Sequence, residues 1–94
     1  MEIVYLPSAA EGLAWFRSYY TEVFSEGEKR ATVQYEKTKK ILLATPRVGH
    51  PIGERDSREY VIPKTPFSLV YRIRGEQIQI MLVLDQRANH PPIA

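Results

Sequence analysis

Apolar residues in the first half of the chain recur at helical spacing after one short extended segment. Residues 2–6 are β-branched and aromatic, which predicts a strand that Pro7 ends. The spacing of apolar residues then predicts a first helix. Its apolar stripe comprises Leu13, Phe16, Tyr20, Val23 and Phe24. Ser8 and Glu11 have the spacing of a capping box, which predicts that this helix begins near Ser8.

A second helix is predicted after a break at residues 25–28. These residues, Ser-Glu-Gly-Glu, offer another capping box, and Pro46 ends the helix near Thr45. The predicted apolar face of this helix comprises Ala31, Tyr35, Thr38 and Leu42. The tight connection predicts an antiparallel helical hairpin. A group of cations beside Glu36 is expected to form a solvated face: Lys37, Lys39 and Lys40.

The second half of the chain has the alternating pattern of strands. Residues 46–57 carry two prolines and two glycines and are interpreted as a loop. Residues 58–62, 67–74 and 77–84 are predicted strands, the last two joined by a hairpin at Gly75 and Glu76.

This element order predicts an α+β fold: an N-terminal strand, a helical hairpin and three antiparallel strands. The helices should pack on one face of a mainly antiparallel sheet, and the other face should be at least partly open. We expect one domain over residues 1–94.

Composition and charge restrict the classes of function. The chain has 94 residues and no cysteine, which excludes disulfides and thiolate metal sites. No apolar run reaches membrane-spanning length and the N-terminus lacks a signal-peptide pattern, so we expect a cytoplasmic protein. Residues 29–74 hold eleven Lys or Arg against four acidic residues, a net of +7 that suits either an anionic partner or ordinary solvation. No metal, nucleotide or redox cofactor is expected, because no ligand or phosphate-binding pattern is present.

The aromatic residues divide into two groups. Most lie on predicted core faces: Phe16, Tyr20, Phe24, Tyr35, Phe67 and Tyr71. Trp15 and Tyr19 lie four residues apart on a different stripe of the first helix. These two residues either pack against the sheet edge or line an apolar groove for a partner.

Several sequence segments, in this order of elements, resemble the RelE/ParE family of toxins from type II toxin–antitoxin systems. Members of this family are also described as plasmid stabilisation proteins. The segment at residues 62–73, Ile-Pro-Lys-Thr-Pro-Phe-Ser-Leu-Val-Tyr-Arg-Ile, carries most of the resemblance. It is followed at residues 78–87 by Ile-Gln-Ile-Met-Leu-Val-Leu-Asp-Gln-Arg, and preceded by Pro-Arg-Val-Gly-His-Pro at residues 46–51.

The resemblance implies a small toxin that is neutralised by a cognate antitoxin in a hetero-oligomer, contacting operator DNA only through that antitoxin. Trp15 and Tyr19 are then candidates for the antitoxin groove. RelE-like members cut messenger RNA on the ribosome, whereas ParE-like members bind DNA gyrase and inhibit growth without cutting RNA. A third possibility is a non-toxic partner in an autorepressor complex.

The residues favour a toxin that binds over one that cuts RNA. RelE-like nucleases resemble one another in an arginine just before Leu-Val-Tyr, where this chain has Ser68, and serine cannot neutralise a phosphate. Asp85 would repel phosphate near Arg87, which matches a nuclease arginine. His90 is a possible general base in the tail. Arg72, Arg87 and His90 are therefore only weak catalytic candidates, and whether the protein is an enzyme stays open.

The arginines of the predicted sheet are the best candidates for binding a target or a phosphate. Arg58, Arg72 and Arg87 flank the three strands, and we expect them to converge at one end of the sheet. Arginine pairs with phosphate or carboxylate in bidentate fashion. The structural alternative is that these charges protect edge strands from aggregation.

Overall fold

The computed structural model describes residues 1–53 and 56–87. Two helices, α1 (Ala10–Ser18) and α2 (Glu28–Ala44), accompany a five-stranded sheet. The strands are β1 (Glu2–Tyr5), β2 (His50–Ile52), β3 (Ser57–Val61), β4 (Phe67–Arg74) and β5 (Gln77–Asp85). Their order across the sheet is β1-β5-β4-β3-β2. The pairing of β1 with β5 is parallel and the others are antiparallel, which confirms the predicted α+β fold.

Strand β2 lies where the sequence predicted only a loop. It pairs antiparallel with β3 at the edge of the sheet, with Pro51 opposite Arg58. Proline is tolerated there because an edge strand needs no hydrogen-bond donor on its outer side. A three-residue strand that contains proline has too little alternation to be recognised from the sequence.

Both predicted capping boxes are wrong. Helix α1 begins at Ala10 after a 3-10 turn at Pro7–Ala9, and the Ser8 hydroxyl donates 2.6 Å to the Met81 carbonyl of β5 instead of capping a helix. Helix α2 follows a second 3-10 turn, Ser25–Gly27, again with no side-chain cap. A tertiary partner for Ser8 therefore replaces the local hydrogen bond that its spacing suggested.

The core lies between the helices and one face of the sheet. Phe67 of β4 is fully buried, and its ring centroid lies 4.9 Å from that of Phe16 and 5.9 Å from that of Tyr20. Phe16 also packs against Tyr35 of α2 at 5.5 Å, which brings the two helices together. Tyr71 is completely buried, as the sequence predicted.

The apolar stripe of the first helix ends earlier than expected. After Ser18 the backbone widens into a π-helical turn at Tyr19–Val23. This turn inserts a residue relative to α-helical spacing and rotates the following positions away from the core. Val23 is 61% exposed and Phe24 is 43% exposed, so the prediction of Phe24 as a core residue is wrong.

Gly12 allows α1 to approach the sheet closely. A Cβ atom at this position would overlap the carbonyl group of Val83 in β5. Glycine is therefore required there by the distance between backbones rather than by its own conformation. The close approach places Trp15 of α1, and Tyr19 of the π-helical turn that follows it, beside the end of β5.

Candidate target-binding surfaces

Four side chains form a cluster where β5 ends, which we call the Arg87 cluster: Trp15, Tyr19, Asp85 and Arg87. The Arg87 guanidinium donates to both Asp85 oxygens, from Nε at 3.0 Å and from Nη2 at 2.8 Å. Its Nη1 donates to the Tyr19 hydroxyl at 2.7 Å, and its Cζ lies 4.3 Å from the Tyr19 ring centroid. Trp15 Nε1 donates to Asp85 Oδ2 at 2.9 Å. Trp15 on α1 and Tyr19, the first residue of the π-helical turn, thus contact the same ion pair.

The electrostatics of the Arg87 cluster are set by its ion pair. Hydrogen bonds from Arg87 lower the pKa of Asp85 to about 2; burial opposes this shift, and the Trp15 hydrogen bond adds to it. The same pairing raises the pKa of Arg87. The Asp85 side chain is 6% exposed and that of Arg87 is 47% exposed. Arg87 is thus held rigidly with its charge largely compensated, and only its outer side meets solvent.

Arg58 is occupied by backbone groups of the segment between α2 and β2. Its Nη1 donates to the Arg47 carbonyl at 3.0 Å and to the Gly49 carbonyl at 2.7 Å. Tyr71 holds the same segment, since its hydroxyl donates 2.7 Å to the Pro46 carbonyl and accepts 2.9 Å from the Gly49 amide. These contacts give Arg58 a structural role in fixing the start of β2.

The expected convergence of the three arginines is wrong. Arg72 pairs with Ser57 and Gln79 across the sheet, and its Nε donates 2.8 Å to Gln79 Oε1. Arg58 pairs with Tyr71, one position away in β4, so Arg58 and Arg72 project from opposite faces. Arg87 follows Asp85, which pairs with Phe67 at the other end of β4. Strand register decides these positions, and sequence spacing alone did not reveal it.

The sheet face opposite the helices, which we call the open face, carries a carboxylate that sequence reasoning missed. Glu59 Oε2 accepts from the Ser68 hydroxyl at 2.6 Å and from Gln86 Nε2 at 3.2 Å. Its Oε1 lies 3.6 Å from His50 Nε2. Ser68 is fully buried. The sequence predicted a strand at residues 58–62, but only the register of β3 against β4 shows that Glu59 shares a face with Ser68.

The remaining sequence-predicted residues add little to these surfaces. Lys39 pairs with Glu36 at 3.1 Å and lies over the Tyr35 ring, whereas Lys37 and Lys40 are exposed, as expected for a solvated face. His90 lies outside the described residues. Within residues 1–53 and 56–87 there is no group of three His, Cys, Asp or Glu side chains that could hold a metal ion. No helix in that part of the chain is both long and apolar enough to cross a membrane.

Comparison with known proteins decides the family. The sequence pattern described as "ParE toxin of type II toxin-antitoxin system, parDE" matches residues 3–90. The chain belongs to the ParE toxin family. This ParE-family chain is also similar to a solved structure described as a chromosomal ParDE toxin–antitoxin system from P. aeruginosa. The TM-score is 0.66 with 26% identity, over 88% of this chain and 92% of that one. No curated protein matches the ParE-family chain significantly.

Proposed function

We propose that this ParE-family toxin inhibits growth by binding DNA gyrase and that a cognate antitoxin neutralises it by covering the toxin, with Trp15 and Tyr19 in or beside the covered surface. ParE-like toxins are expected to act on gyrase, and a toxin of a parDE system is expected to have an antitoxin partner. The proposal includes a cytoplasmic location, where gyrase and the antitoxin would be met.

The observation that carries the proposal is that the two positions where RNA cleavage would need a free cation do not offer one. Ser68 stands in place of the nuclease arginine and donates to Glu59, which puts a negative charge there. Metal-independent RNA cleavage requires stabilisation of a charged phosphate, and a carboxylate opposes this. Arg87, the nearest matching arginine, is already paired with Asp85.

The arginines of the chain fit contacts with a protein better than catalysis. Arg72 donates only one of its groups to Gln79 and lies on the open face, so part of its guanidinium is available to an acidic residue of a target. Arg87 presents its outer side at a fixed position, which favours a specific contact over a mobile one. Arg58 is held by backbone carbonyls and contributes by fixing the segment that precedes β2.

The test is the effect of the chain on growth and on purified gyrase. Induction alone should cause filamentation with a DNA damage response and intact transcripts, and the purified protein should inhibit DNA supercoiling. Co-expression of the antitoxin should restore growth. Arg72→Gln is a matched variant, because its side chain bonds only Gln79 among the described residues and the fold should persist.

The alternatives give different results in the same experiment. Rapid arrest of translation with cut transcripts, abolished by Arg72→Gln, would contradict gyrase binding and support a ribosome-dependent nuclease. Normal growth on induction would instead support the third alternative, a non-toxic member of an autorepressor complex. Gyrase that supercoils at its usual rate in the presence of the toxin would also overturn the proposal.

A further inference from the structure

The open face contains an apolar concavity of about 410 Å³. Its lining is mostly aliphatic and belongs to four strands and the 3-10 turn after β1: Ser8, Ile52, Gly53, Ser57, Val70, Met81 and Leu82. Leu82 is 36% exposed, and Val61 on the same face is 41% exposed. Apolar surface of this kind, grouped in one place rather than scattered, is typical of a site that another molecule covers.

Glu59 is the cross-strand neighbour of Val70, which lines this concavity. Glu59 is paired with Val70 in the register of β3 and β4, so the two side chains are cross-strand neighbours on one face. Two neutral donors, Ser68 and Gln86, hold Oε2. They fix the position of the carboxylate without neutralising its charge.

The other oxygen of Glu59 has only a weak partner among the described residues. His50 Nε2 lies 3.6 Å from Oε1, and the His50 side chain is 62% exposed while that of Glu59 is 17% exposed. This distance is longer than a good hydrogen bond, and an exposed imidazole is readily displaced. A carboxylate accepts about four hydrogen bonds, so Oε1 can accept from an incoming cation.

An apolar concavity beside a fixed, partly buried carboxylate is complementary to one kind of ligand. We propose that the open face binds a partner protein segment that carries an aliphatic side chain two positions from a lysine or arginine. The aliphatic side chain occupies the concavity and the cation pairs with Glu59. At Glu59 the negative charge repels the phosphates of a nucleic acid.

The spacing of the two features sets the form of the segment. Directly paired residues in antiparallel strands have Cα atoms about 5 Å apart, and alternate residues of an extended segment lie about 7 Å apart on one side. An extended segment lying across the sheet therefore reaches both features with residues two positions apart. The long stem of lysine or arginine covers the difference.

The experiment uses the full ¹⁵N-labelled chain and two acetylated peptide amides of sequence Leu-Ser-Lys and Leu-Ser-Glu, in which the first and third residues lie on one side of an extended segment. Amide shifts of Glu59, Val70 and Leu82 are followed during titration. The lysine peptide should give saturable shifts at these amides with a Kd about fivefold lower than the glutamate peptide, the size expected for one ion pair. Glu59→Gln should abolish that difference, because the amide oxygen still accepts from Ser68 while the charge is lost.

Two further variants separate the parts of the site. Leu82→Ser should weaken both peptides equally, because it removes apolar surface from the concavity. Glu22→Gln, an exposed carboxylate on the π-helical turn after α1, is the matched control and should change neither Kd. Equal binding of the two peptides, shifts confined to other amides, or tighter binding of an oligouridine to the same amides would each overturn the proposal. Because these are binding measurements on the purified chain, their outcome does not depend on whether the protein inhibits gyrase.

Discussion

Replacement of Asp85 by asparagine tests whether the Arg87 cluster stabilises the domain through charge. Asparagine keeps the shape of the side chain and an oxygen for Trp15 Nε1, but it removes the charge that pairs with Arg87. Asp85 has a pKa of about 2 against an ordinary value of 3.8. One pKa unit corresponds to about 1.4 kcal/mol, so the pairing contributes at most about 2.5 kcal/mol to the free energy of unfolding. The value is an upper limit because solvent screens the half-exposed Arg87.

The expected loss is large for a domain of this size. A decrease of about 2 kcal/mol should lower the Tm by roughly 10 °C. Urea unfolding can be followed by the fluorescence of Trp15, the only tryptophan of the chain, and independently by circular dichroism. A double-mutant cycle with Arg87→Gln isolates the ion pair, and we expect a coupling free energy of about 1 to 2 kcal/mol.

The same pair predicts the response to acid. The pKa of Asp85 is lower in the folded than in the unfolded chain, so its contribution is complete above about pH 4 and is lost as the pH falls toward 2. The wild-type chain should lose this stability over that interval, and Asp85→Asn should not show the corresponding loss. A coupling free energy below about 0.3 kcal/mol, or identical acid profiles for both chains, would refute the reasoning.

Three further substitutions test packing through urea unfolding. Thr38→Val should raise the free energy of unfolding by about 1 kcal/mol, because the fully buried Thr38 hydroxyl has no hydrogen-bond partner within residues 1–53 and 56–87; a decrease would contradict this. Tyr71→Phe should lower it by about 2 kcal/mol, because the Pro46 carbonyl and the Gly49 amide lose their partner; no change would show that water replaces the hydroxyl. Gly12→Ala should lower it by at least about 1 to 3 kcal/mol through overlap with Val83, and wild-type stability would mean that α1 can shift.

The order of elements and the buried centre of the fold could be predicted because they follow from local periodicity. Phe67 and Tyr71 alternate with the residues between them, and both are fully buried as expected. Features that depend on distant parts of the chain could not be predicted. The β-bulge between β4 and β5, where Val70 pairs with Leu82 but Tyr71 pairs with Ile80, shifts the register by one residue and has no local signature.

The candidate surfaces were less predictable than the fold for the same reason. The sequence identified Arg87, Trp15 and Tyr19 separately, but their contact joins residues 68 positions apart. Asp85 was interpreted only as a charge that would repel phosphate, although it is the residue that holds Arg87. Charge type can be read from a sequence, whereas the partner of a charge is decided by strand register.

The parallel pairing of β1 with β5 has a consequence for the order in which the protein forms. Glu2 pairs with Gln77, so β1 is synthesised before its partner β5, which also separates it from β4 in the sheet. Contacts of such long sequence separation slow folding, because the intervening chain must be brought together first. A nascent chain that stops before β5 leaves both β1 and β4 with an unpaired edge and is exposed to aggregation. Strand β1 is thus synthesised before β5 but can join the sheet only after β5 is present.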